Sequence, residues 1–130
     1  MKKVIVILVV FCVMLGAMIG EMVYVNKFYN GLQSDLEAIA ESIEINEENV
    51  QNPQTEELCD KLVKKWETGK RTLLMLQNHN TVRNLDDKIV SLSAVIKSDN
   101  YNDAVIFVRS AINYIDDVLL DSIPFLSNIL

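Results

Sequence analysis

Apolar side chains run unbroken from Val4 to Gly20, then give way to stripes that recur every three or four residues. The run follows Lys2 and Lys3 and is first interrupted at Glu21. As a helix it covers roughly 25 Å, near the lower limit for crossing ~30 Å of hydrocarbon. Met22, Val23, Tyr24 and Val25 extend it beyond Glu21, which can snorkel outward, while Tyr24 suits the interfacial belt. Both flanking cations lie on the N-terminal side, so the positive-inside rule keeps Lys2 and Lys3 in the cytoplasm and sends the rest across. A cleaved signal peptide would have the same charged and apolar regions, but the small residues that cleavage needs are poorly placed around 15–20. The sequence therefore favours an uncleaved anchor.

Beyond the anchor, Phe28, Leu32, Leu36, Ile39 and Ile43 form one helical stripe. No breaker separates Tyr24 from Phe28, so the anchor can run straight into this helix. Residues 45–54 are polar and turn-prone, with Asn46, Asn49, Asn52 and Pro53. Thr55 then reads as the cap of a second helix whose stripe is Leu58, Leu62, Val63, Trp66, Leu73 and Leu76. Gly69 lies inside it, at a cost of about 1 kcal/mol relative to alanine. The turn Asn78-His79-Asn80-Thr81 leads to the most regular stripe: Val82, Leu85, Ile89, Leu92 and Ile96. Asn100 and Asp103 form a capping pair before the last helix, Tyr101 to about Asp121, which Pro124 ends.

The short links make neighbouring helices antiparallel. The expected fold is all-α: an N-terminal transmembrane helix, then an antiparallel up-down four-helix bundle made of two helical hairpins. Residues 1–25 are the transmembrane anchor and 26–130 an acidic, extracytoplasmic bundle. That order returns the apolar tail, Ile123 to Leu130, toward the membrane.

Composition adds limits. With 12 Lys+Arg against 18 Asp+Glu the net charge is −6, and the cationic anchor flank makes the remainder more acidic still. Such a domain suits neither nucleic acid nor an anionic lipid surface. Four Gly and two Pro favour helix over sandwich or disorder. Cys12 in the anchor and Cys59 in the domain are too separated to pair, and Cys59 reads as a small buried hydrophobe. From Asp35 to Asp60 every charged side chain is acidic, whereas Lys61, Lys64, Lys65, Lys70 and Arg71 follow. An acidic first helix beside a basic second one is favourable; the alternative is that the basic face meets lipid headgroups.

Candidate chemistry is thin. His79 has no second histidine and reads as a solvated turn residue. Glu44, Asn46 and Glu48 alternate like the start of a calcium loop but lack its glycine and its terminal glutamate. Adjacent pairs such as Glu56-Glu57, Asp86-Asp87 and Asp116-Asp117 point about 100° apart on a helix and make no acid/base dyad. Trp66 sits on its apolar stripe and reads as core. Neither a catalytic, a cofactor-binding nor a metal-binding residue is assigned, and no cofactor is expected.

Several segments together carry a resemblance: Lys64-Lys65-Trp66-Glu67, the His79 turn, Ser98 to Ala104, and the terminal Ser127-Asn128-Ile129-Leu130. With the Lys-flanked anchor, they resemble an uncharacterised family, a domain of unknown function, of small membrane-anchored helical proteins from spore-forming Gram-positive bacteria. This chain has a longer first linker, residues 45–54. The family carries no established activity and so implies no site residues. Its members' occurrence beside another integral membrane protein implies a partner role.

The expected function is thus non-enzymatic: a single-pass protein of the cell membrane whose extracytoplasmic domain binds another membrane or envelope protein. Its contacts are the lipid bilayer, through the N-terminal helix, and that partner, with no nucleic acid. The alternatives are a small-ligand sensor, with a site lined around Trp66 and Tyr114, and a secreted helical protein after signal cleavage.

Overall fold

The structure is a computed structural model that describes residues 1–46 and 49–121. Among the described residues there are four helices and no strand: α1 (Lys2–Ile45), α2 (Pro53–Leu76), α3 (His79–Lys97) and α4 (Tyr101–Asp121). The expected fold of the apolar tail, Ile123 to Leu130, lies outside the described residues.

Helix α1 runs unbroken from the apolar run into the packed domain, 44 residues or about 66 Å at ~1.5 Å per residue. Its two halves differ in surroundings rather than backbone. Every side chain from Val4 to Tyr24 is exposed, and the first buried one is Val25. An 18-residue window of this helix is long and apolar enough to cross a membrane, and none of it is buried by the described residues. Counted to Tyr24 the exposed apolar segment covers about 32 Å, which fits the hydrocarbon better than the run to Gly20 alone.

From Val25 onward α1 packs against α2 and α4, and α3 packs against the same two. The core positions follow one another at alternating steps of three and four: Val25, Tyr29, Leu32, Leu36, Ile39 and Ile43 on α1. Thr55, Cys59, Leu62, Trp66, Gly69 and Leu73 do the same on α2. On α3 they are the expected Val82, Leu85, Ile89, Leu92 and Ile96. Ala104, Val108, Ala111, Ile115 and Val118 complete the core from α4. This spacing sets side-chain ridges of one helix into grooves of the next.

Across α1–α2, α3–α4 and α1–α4 the partners run in opposing numerical order. Phe28 meets Trp66 and Gly69, Asp35 meets Lys65 and Ser42 meets Thr55. Lys70 pairs with Asp86 across α2 and α3. Lys88 bonds Ser110, while Tyr114 reaches the Thr81 carbonyl across α3 and α4. Gln33 donates to Asp116 and Arg109 approaches Glu44 across α1 and α4.

Three local expectations change. Phe28 is only half-buried, and Tyr29 takes the core position instead. Thr55 is not the α2 cap. Asn52 is, accepting from the Thr55 backbone N–H at 2.9 Å, with Pro53 opening the helix where its missing N–H costs nothing. Gly69 is not merely tolerated: an added Cβ would collide with the Phe28 ring, so glycine is what lets α1 approach α2 here. By contrast, the capping pair forms as expected, Asn100 accepting from Asp103 N at 3.2 Å and donating to Asp103 Oδ2 at 2.8 Å. Asp99, before it, adopts φ 56°, a left-handed conformation that Asp accepts more readily than bulkier residues.

Candidate functional site

The two ends of the packed domain are built differently. At the end far from the apolar half of α1, the loop before α2 folds inward. Val50 is buried, although the sequence around it reads as plain polar linker. Beneath it Ser42 Oγ and Thr55 Oγ1 share a hydrogen bond of 2.7 Å, and Asn52 Nδ2 donates to Thr55 Oγ1 at 2.9 Å and to the Asn49 carbonyl at 2.7 Å. Each of these buried polar groups has a partner, so the cluster closes the core without an unpaired donor. The loop before α4 ties on through Gln51 N, which donates to Asp99 Oδ1 at 2.9 Å.

At the near end the core is aromatic. Tyr24 stacks on Phe28, whose ring also faces Tyr29 and Trp66, all at centroid separations of 6.3–6.4 Å. Trp66 is fully enclosed, and its indole Nε1 donates to Asp86 Oδ1 at 2.8 Å. Lys70 Nζ reaches the same oxygen at 3.0 Å. Burial works to raise the Asp86 carboxyl, but the bonds from Trp66 and Lys70 outweigh it and hold the group below its ordinary value. The Asp86 bond in turn raises Lys70. Tyr29, packed against Phe28, has a buried hydroxyl with no hydrogen-bond partner among the described residues. Burial, then the neighbouring Tyr114, push its pKa up to about 12.

The residues that the sequence offered for chemistry do not converge. His79 is exposed in the first turn of α3, not within a turn. Cys59 is buried, its thiol pushed up by burial, and Cys12 is exposed on the apolar half of α1. Asp86 turns inward while Asp87 stays exposed. Glu44 faces Arg109, Asn46 bonds the Ser42 carbonyl, and Glu48 lies outside the described residues. Among the described residues no three His, Cys, Asp or Glu side chains are grouped to hold a metal ion. Trp66 does not line the cleft that holds Tyr114. Tyr114 instead lines an open cleft of about 410 Å³ between α3 and α4, with Asn84, Asp87, Lys88, Ser91 and Phe107. Lys88 Nζ lies 5.5 Å from the Tyr114 ring centre.

What sequence reasoning missed is the Asp86–Trp66–Lys70 junction. Its signal was available: an indole N–H on a core stripe needs an acceptor, and Asp86 directly follows core residue Leu85.

No curated protein and no solved structure matches the chain. A family model described as a domain of unknown function, DUF4363, matches residues 20–129, from the end of the apolar run through the packed helices. The chain therefore belongs to the DUF4363 family of domains of unknown function.

Proposed function

We propose that this protein is a non-enzymatic, single-pass membrane protein whose helical domain holds a fixed position at the outer membrane face and binds another membrane or envelope protein. The observation that carries the reading is the division of α1. Val4 to Tyr24 finds no cover among the described residues, whereas the same helix is buried along one face from Val25 onward. An uncovered apolar segment of that length is stable in lipid and costly in water. Lys2 and Lys3 assign the N-terminus to the cytoplasm, and residues 26–130 form the extracytoplasmic domain. The domain is an antiparallel up-down bundle of two hairpins, supported by the opposing order of partners across α1–α2, α3–α4 and α1–α4.

A protein partner is supported by apolar side chains left on the outer faces of the last two helices: Val90, Ile106 and Leu120, exposed by 56, 63 and 70%. The test is photo-crosslinking in native membranes from probes at Val90, Ile106 and, as a control, Asn102. One dominant membrane protein crosslinked from the apolar positions and not from Asn102 supports the reading. Equal, diffuse labelling from all three contradicts it. A second reading, a small-ligand sensor, rests on the cleft beside Tyr114. It predicts a ligand-dependent rise in melting temperature that Tyr114→Ala abolishes.

A further inference from the structure

The α2–α3 hairpin tip departs from the charge of the rest of the chain. The chain has 18 acidic residues, yet none lies between Glu67 and Asp86, where Lys70, Arg71 and Arg83 supply cations. Arg71 and Arg83 are exposed. The end of α2 reads Leu73-Leu74-Met75-Leu76, and Met75 is 81% exposed at the tip.

Helix register places this tip against the anchor. The Phe28 ring lies over Gly69. From there α2 continues about 10 Å to Leu76, the same distance that separates Phe28 from Glu21 on α1. Leu76 and Met75 therefore stand level with the last turns of the exposed apolar segment, which ends at Tyr24. Arg71 and Arg83 lie just above them. Asp86 and Glu67 pair with Lys70, and Asp116 is bonded to Gln33. Glu21 is level with the tip on α1 and Asp117 is exposed on α4, but among the described residues neither Arg71 nor Arg83 makes an ion pair with an acid.

We propose that the α2–α3 hairpin tip is a second membrane contact, specific for anionic phospholipid. Met75 and Leu76 enter the interfacial layer, and Arg71 and Arg83 bind headgroup phosphates. Arginine suits this role because its planar fork matches phosphate oxygens in pairs. The chain's net charge of −6 argues against binding such a surface as a whole. The tip is a local exception because Arg71 and Arg83 are exposed cations that no acid among the described residues pairs with. The contact fixes the tilt of the bundle on its anchor. The proposal rests on the anchored reading, since a free domain would meet lipid in no set orientation.

The test uses the full chain carrying Cys12→Ser, reconstituted in vesicles, with an environment-sensitive fluorophore on Met75→Cys. Parallel labels at Met14→Cys, in the anchor, and Asn102→Cys, at the far end, give the reference depths. In vesicles containing phosphatidylglycerol the Met75 label should shift to the blue and be quenched by lipid-borne quenchers, while the Asn102 label stays aqueous. Arg71→Gln with Arg83→Gln should lower the docked-to-undocked ratio roughly 25-fold, about fivefold per cation, and leave the Met14 label in the hydrocarbon. Unchanged Trp66 emission in the variants confirms their folding. A Met75 label as aqueous as Asn102, with Met14 buried in lipid, overturns the tip contact and spares the anchor. Docking unchanged by the two glutamines, or equal in phosphatidylcholine alone, overturns the anionic specificity. An aqueous Met14 label overturns the anchor and the tip contact together.

Discussion

Gly69→Ala should weaken the bundle even though it strengthens the helix. In isolation, alanine gains about 1 kcal/mol over glycine in a helix interior. In place, the new Cβ would collide with Phe28 Cε2 and Cζ, and Cδ2 would lie 3.2 Å away. The ring has little room to yield, because Tyr24, Tyr29 and Trp66 flank it. Overpacking of this kind costs typically 1–3 kcal/mol, so the net effect is a loss of about 1 kcal/mol. In a Phe28→Ala background the clash disappears and Gly69→Ala should instead stabilise by about 1 kcal/mol. The coupling between the two positions is then about 2 kcal/mol. Urea unfolding of the full chain in mild detergent measures it. Trp66 is the single tryptophan and reports on the bundle rather than the anchor. Stabilisation by Gly69→Ala in the otherwise native chain, additive with Phe28→Ala, would refute the close approach of α1 to α2.

Three further expectations use the same assay. Tyr29→Phe removes a buried hydroxyl that has no partner and should be neutral or stabilise by up to about 1 kcal/mol, whereas a loss of that size would mean that the hydroxyl is paired. Asn52→Ala removes the α2 cap and a donor to Thr55, and should cost about 2 kcal/mol; a cost below a few tenths would show that the polar cluster does not close the bundle. The folded Asp86 carboxyl lies below its ordinary value of 3.8, so its contribution is present above that pH and lost as pH falls through the folded value. Lys70 is raised above 10.5, so its contribution holds below that pH and fades as pH rises through the folded value. Asp86→Asn should flatten both limbs of the stability–pH profile, and identical profiles would discount the junction with Trp66 and Lys70.

Much of this architecture is written in apolar spacing. The stripe on α3 was readable residue for residue because each core position there is a large aliphatic. On α2 the spacing was blurred: beside Cys59, which was expected inside, its core positions include Thr55 and Gly69, which hydropathy alone does not mark as interior. Each of the three has a separate reason to be inside. Thr55 shares bonds with Ser42 and Asn52, Cys59 packs as a small hydrophobe, and Gly69 admits a ring from another helix. Phe28 and Tyr29 exchanged roles for a related reason. Both are aromatic and adjacent, and only the partner on α2 decides which one faces the centre. The Asp86 junction is legible only in part, since indole N–H chemistry calls for an acceptor but does not name the helix that supplies it. The acid-free tip could be found by scanning for missing acids, yet its meaning needs the register between α1 and α2.

The central claim is that α1 is one helix that serves as both anchor and bundle. Intact mass spectrometry of the native protein from carbonate-washed membranes tests it most directly. The account predicts a membrane-retained chain that includes the segment from Lys2 to Gly20. A shorter species that starts near residue 20 and is released in the wash would contradict it.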